Sequence, residues 1–122
     1  RLTFVQAEDA ESLCRQWQRI DLGLAPPVDA GGLALPTCLW MGRPYVALAS
    51  PLPWGRRPAA LLATAGATDW LAATPEDYIA RTQTPRPPPN PLFRARLKAA
   101  GLTDPKAFAQ GFAERILQDW HS

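Results

Sequence analysis

Proline restricts this chain more than any other residue, because fourteen of its 122 residues are proline. A proline interrupts a helix interior and cannot donate a hydrogen bond to a sheet ladder, so regular elements have to fit between prolines. The sequence therefore predicts short elements joined by many turns. With 47% apolar and 20% charged residues, the chain still has enough apolar material for a core, and its length suits a single domain.

The N-terminal half predicts a small sheet and one helix. The β-branched and aromatic residues of 1–6 favour a strand, and apolar residues spaced by three and four predict an amphipathic helix over 7–20. Two apolar runs, 33–40 and 45–50, flank a short turn and predict a β-hairpin. Residues 58–66 fit either a buried strand or a helix, because periodicity alone does not separate the two.

Helix starts are the clearest signals in the C-terminal half. Three times a residue that can cap a helix is followed by proline, which suits the first helical position. A proline-rich stretch, 84–89, cannot be helical and predicts an extended spacer. The three signals are Thr74-Pro75, Asn90-Pro91 and Asp104-Pro105, and the helices they predict end near residues 82, 100 and 120.

These elements together predict an α+β fold. Its small sheet, an N-terminal strand plus a hairpin, is packed by an N-terminal helix and by a C-terminal helical segment of two to three helices. We expect residues 1–122 to form a single domain. Within it, 1–83 make the α+β part, 84–89 the proline-rich spacer and 90–122 a C-terminal helical hairpin.

Residue types that carry most enzyme chemistry are scarce in this chain. Its only histidine, His121, lies one residue from the end, where a frayed chain holds a side chain poorly. Cys14 and Cys38 lie in apolar patterns that predict buried thiols. We therefore predict no catalytic residue, no metal and no cofactor. A small enzyme with a carboxylate-based site stays as a second alternative, and its candidate residues lie in first turns of predicted helices: Glu8, Asp9, Glu11, Glu76 and Asp77.

The last predicted helix carries large apolar residues at four-residue intervals, a stripe that fits either core packing or partner binding. Five tryptophans in the chain favour an interface. Our leading hypothesis is a non-catalytic protein-interaction or adaptor domain. It would be a cytoplasmic accessory part of a larger bacterial-type assembly, with a protein partner or a second copy as its ligand and no contact with a membrane. The predicted contacts are Trp54, Arg56, Arg57, Phe112, Ile116 and Trp120.

The charge distribution supports an alternative hypothesis, a nucleic-acid-binding module. Residues 51–106 contain eight Lys and Arg against four Asp and Glu, and tryptophan next to arginine is typical of surfaces that stack bases and neutralise phosphates. The net charge of the whole chain is only +2, which is less than an obligate nucleic-acid binder usually has. The patch would consist of Trp54, Arg56, Arg57, Arg94 and Lys98.

Overall fold

A computed structural model describes residues 2–27 and 32–122, and for Trp54 its backbone only. Most of this part of the chain is helical, and three short strands are present in it. In chain order the elements are α1 (Ala10–Gln18), β1 (Gly23–Leu24), α2 (Ala34–Trp40), β2 (Tyr45–Leu48), α3 (Pro53–Ala65), a 3-10 turn (Thr68–Trp70), β3 (Leu71–Ala72), α4 (Pro75–Thr82), α5 (Pro91–Ala99) and α6 (Pro105–His121).

The three strands form one parallel sheet in the order β1-β2-β3. Gly23 pairs with Tyr45, and Ala47 pairs with Leu71. Parallel neighbours need a crossover connection, and here α2 makes the first crossover and α3 the second. The predicted α+β class with a small sheet is confirmed.

Of the three predicted strands, only the run 45–50 forms one, and it is β2. Residues 2–6 are exposed and form no strand, and residue 1 lies outside the described residues. The predicted hairpin is wrong because the run 33–40 forms α2. Its residues Leu35, Cys38 and Leu39 have helical spacing and are all buried. This burial compensates for Pro36, a residue type that neither helices nor strands favour. The prolines and glycines of 24–32 predict a loop, and residues 28–31 of it lie outside the described part of the chain.

The sequence also predicts 51–58 as a rigid connector, but α3 begins at Pro53 inside it and includes most of the ambiguous segment 58–66. Pro53 takes the first helical position, where its missing N–H costs nothing. Pro58 lies inside the helix, and its carbonyl accepts a 2.7 Å hydrogen bond from the buried Tyr45 hydroxyl. The helix ends at Gly66, whose φ of 67° is a left-handed conformation that suits glycine.

The predicted helix starts of the C-terminal half are confirmed. Thr74 accepts a hydrogen bond from the Asp77 N–H at 3.1 Å, and Asn90 accepts one from the Leu92 N–H at 3.0 Å. Asp104 accepts from two N–H groups in the first turn of α6. The N-terminal helix, predicted over 7–20, is shorter, because Asp9 caps it and α1 starts at Ala10.

The core lies between the sheet and the helices α2, α3 and α5. Tyr45 and Val46 of β2 are fully buried, and α5 adds Phe93 and Leu97 to the same cluster as Leu62 of α3. The proline-rich spacer is attached to this body at both ends. The Arg86 guanidinium lies 3.5 Å from an Asp21 carboxylate oxygen, and the Asn90 N–H donates to the Gly42 carbonyl at 2.8 Å.

Helix α6 differs from the other helices, because every residue from 105 to 122 is exposed. The predicted pairing of α5 and α6 as a helical hairpin stays a prediction. Among the described residues, no helix has both the length and the apolar character needed to cross a bilayer.

Candidate functional site

Among the described residues, the largest group of exposed apolar side chains lies along one side of α6. We call this group the α6 face. Residues three and four apart meet on a helix surface, so the sequence spacing places these side chains in one continuous stripe. The members and their exposed fractions are Phe108 at 70%, Phe112 at 59%, Ile116 at 49%, Leu117 at 58% and Trp120 at 83%.

Side chains on and beside the α6 face contact one another along the helix. The rings of Phe108 and Phe112 stack with their centroids 6.0 Å apart and their planes 15° from parallel. At the edge of the stripe, Arg115 and Asp119 form an ion pair at 3.8 Å, so these two charges neutralise each other. The first turn is capped by Asp104. The remaining charged side chains of α6, Lys106 and Glu114, have opposite signs, so its Lys, Arg, Asp and Glu residues sum to no net charge.

A hollow opens where α5 turns into α6. It has a volume of about 460 Å³. Leu102, which is half exposed, and Phe108 contribute apolar surface to it, and Gly101 adopts a left-handed φ of 76° that turns the chain there. We call this feature the α5–α6 hollow. Its lining residues are Gly101, Leu102, Thr103, Asp104, Pro105 and Phe108.

A second surface combines an aromatic ring with two cations. The guanidinium carbon of Arg94 lies 5.0 Å from the centroid of the Trp40 ring, and the Lys98 Nζ lies 5.5 Å from it. Both distances are within the range of a cation–π interaction. Within residues 2–27 and 32–122, no carboxylate forms an ion pair with either cation. We call these three residues the Trp40 cluster.

The residues predicted from sequence thus divide into groups. Phe112, Ile116 and Trp120 share the α6 face, and Arg94 and Lys98 share the Trp40 cluster. Arg56 and Arg57 lie exposed in the first half of α3, where Arg56 donates to the Pro51 carbonyl at 2.8 Å and 3.1 Å. Trp54 is the second residue of α3, and its side chain lies outside the described part of the structure.

Sequence reasoning missed Trp40 and Leu102. Trp40 stood in a predicted strand, and only the packing of α2 on α5 brings it beneath cations more than fifty residues away. Leu102 follows the glycine that ends α5, and no local pattern marks it as part of a hollow. Phe108 and Leu117 belong to the stripe predicted from sequence. Phe108 lies four residues before Phe112 and Leu117 three before Trp120, and this spacing was the signal that could have identified them as part of the site.

Neither thiol forms a disulfide; Cys38 is buried as predicted, whereas Cys14 is only partly buried. Cys38 lies in the core, its Sγ donates to the Arg43 carbonyl at 3.2 Å, and burial raises its pKa to about 12. A thiol with such a pKa stays protonated at neutral pH and is a poor nucleophile. His121 lies on exposed α6, so the structure places this imidazole on a solvent-exposed helix end.

Three of the five candidate carboxylates of an enzymatic site, Asp9, Glu11 and Asp77, cap a helix or form an ion pair. Asp9 caps α1, and hydrogen bonds from Ser12 hold its pKa below the ordinary value. Glu11 pairs with Arg15, and Asp77 pairs with Arg81 at 2.9 Å. In the described ranges, no three histidine, cysteine, aspartate or glutamate side chains converge as metal ligands would.

No family model, curated protein or solved structure matches this chain. The geometry of the α6 face and of the Trp40 cluster is therefore the basis for inferring a function.

Proposed function

We propose that this chain is a non-catalytic protein-interaction domain and that the α6 face is its binding surface. One observation carries the proposal: α6 holds five large apolar side chains on one side, and none of them is buried. In proteins most helical stability comes from packing an apolar face against another surface. An amphipathic helix with an uncovered stripe is the element that helix-in-groove recognition uses.

The cellular setting is part of the same proposal. Both cysteines are free thiols, which is usual for proteins of a reducing compartment, so we propose a cytoplasmic location. We propose further that the domain is an accessory part of a larger bacterial-type assembly. The support for this is compositional: eleven of the thirteen cationic residues are arginine, as expected of a GC-rich coding sequence.

Capture with matched variants tests the proposed function. The immobilised parent chain is compared with two immobilised variants. Phe112→Glu places a charge in the stripe, and Gln118→Glu is the matched control. Gln118 lies two residues from both Ile116 and Trp120 and so points to the other side of the helix. We expect the parent chain and Gln118→Glu to retain the same protein, and Phe112→Glu to lose it. The retained protein, once purified, should bind the parent chain saturably in calorimetry.

The proposal fails if the chain retains no protein and also stays monomeric at high concentration. It fails equally if Phe112→Glu binds as the parent chain does, because a charge in the centre of a buried apolar surface should not be tolerated.

The Trp40 cluster supports a second candidate function, binding of single-stranded nucleic acid. An aromatic ring beside two cations without carboxylate partners is suited to a base and its phosphate. Labelled oligonucleotides titrated at low salt should bind, and the affinity should fall steeply as salt is added. Arg94→Gln and Lys98→Gln should each reduce binding, whereas Arg115→Gln on α6 should not. Absence of binding at low salt would remove this candidate.

A further inference from the structure

We propose that the partner of the α6 face is a second copy of this chain, paired antiparallel, with Trp120 of each copy seated in the α5–α6 hollow of the other. This inference deepens the proposed function and rests on it. Its observations are the position of Trp120, which is 83% exposed, at one end of the stripe and of an open hollow at the other.

The helix dimensions match this arrangement. Trp120 and Asp104 are each eight residues from Phe112, which is about 12 Å at the rise of an α-helix. A two-fold axis at Phe112 therefore brings Trp120 of one copy level with Asp104 of the other, where the hollow opens. The same register sets Phe108 of one copy level with Ile116 of the other.

The size and chemistry of the hollow suit an indole ring. Its volume of about 460 Å³ is large enough for one aromatic side chain, and Leu102, Pro105 and Phe108 give it apolar walls. The Asp104 side chain at its edge is engaged as a helix cap, since it accepts from two N–H groups. An indole placed there would bury most of the surface that is now 83% exposed.

Surface area also favours an arrangement that uses the stripe and the hollow together. From the exposed fractions, the five side chains of the α6 face present on the order of 600 Å² of apolar surface. Covered on both copies, this is about 1,200 Å² in total, at the lower end of the range for stable specific interfaces. In a two-fold pair each copy also contributes its hollow, where Leu102 and Pro105 add apolar surface beyond the stripe.

A parallel pair would use the same stripe less completely. It would bring the two Trp120 rings together at one end and the two hollows together at the other, and both hollows would stay unfilled. The antiparallel pair also keeps the Lys106 side chains of the two copies apart, at opposite ends of the interface.

Sedimentation velocity of the intact chain, from micromolar to near-millimolar concentration, tests the pairing. We expect a concentration-dependent dimer. Trp120→Glu and Leu102→Glu should each weaken dimerisation by about tenfold or more, since each removes one half of the same contact. Gln118→Glu should dimerise as the parent chain does.

A chain that stays monomeric throughout this range overturns the inference. If it also captures another protein through the α6 face, the proposed function stands and only the identity of the partner is wrong. If it captures nothing, both fail. Dimerisation that survives Trp120→Glu and Leu102→Glu would likewise overturn the proposed seating of Trp120.

Directed cross-linking tests the orientation. In the antiparallel register Thr103 of one copy lies near the end of α6 of the other. We expect chains with Thr103→Cys to form a disulfide with chains carrying Ser122→Cys under oxidised glutathione, and neither variant to cross-link efficiently with itself. The unsubstituted chain is the control for the native thiols. Self-cross-linking of each variant alone would indicate a parallel pair and contradict the inference.

Discussion

Gly23 lies in β1 and faces both α1 and the core. Because glycine has no side chain, β1, α1 and the core can pack closely at this position. A Cβ atom at this position would lie 2.9 Å from the Tyr45 Cβ and 3.1 Å from the Cys38 Sγ. Both neighbours are fully buried and have no room to move. The sequence alone does not reveal this role of Gly23, because the close approach to Cys38 and Tyr45 depends on residues more than ten positions away.

We predict that Gly23→Ala destabilises the fold by about 1–3 kcal/mol, as overpacking of a filled core usually does. The measurement is the free energy of unfolding in urea. Gly111→Ala is the matched control, because no atom lies within 4 Å of the added Cβ in α6. Equal stability of Gly23→Ala and the parent chain would contradict the close approach.

A carboxylate at the start of α4 should make stability depend on pH. The Ala73 N–H and then the Arg81 side chain hold the pKa of Asp77 below its ordinary value of 3.8. A carboxyl whose pKa is lower in the folded state stabilises the fold above the unfolded-state pKa, and this stabilisation is lost as the pH falls through the folded-state value.

We therefore predict that the parent chain loses stability below about pH 4 and that Asp77→Asn loses less over the same range. Urea unfolding at a series of acidic pH values measures this. Asp9, whose pKa is also lowered, remains in the variant, so the dependence should become shallower without disappearing. A steeper dependence in Asp77→Asn would contradict the assigned contacts.

At the scale of elements, helix starts that depend on a few neighbouring residues were predicted correctly from the sequence. The cap-and-proline pairs that start α4, α5 and α6 work through hydrogen bonds to their own first turns, so the sequence alone contains the information. The sheet was not predictable in this way. β1 and β3 have two residues each and are defined by their pairing with β2, which depends on the packed crossovers.

Helices α5 and α6 should respond differently to the same substitution. Leu97 of α5 is buried in the core, whereas Leu117 of α6 is 58% exposed. We predict that Leu97→Ala lowers the free energy of unfolding by about 2–5 kcal/mol. Leu117→Ala, measured on dilute chain, should change it by about 0.5 kcal/mol or less. A large loss for Leu117→Ala would show that α6 packs on the body.

At the scale of the whole molecule, a core built from the sheet, α2, α3 and α5 supports a helix that adds nothing to it. The sequence predicted the α6 stripe correctly but did not decide between core and interface, because periodicity reports an apolar face and not what covers it. The Trp40 cluster could not be predicted from the sequence for a different reason. Its three residues come from α2 and α5, and only tertiary packing brings them together.

Hydrogen exchange along α6 tests the central claim, that this helix is a binding element and not part of the core. In dilute chain we predict that the α6 amides exchange orders of magnitude faster than the amides of α5 around Leu97, because only local opening protects them. At concentrations that drive association, protection should appear across Phe108–Trp120. Protection of α6 in the dilute monomer equal to that of α5 would contradict the account.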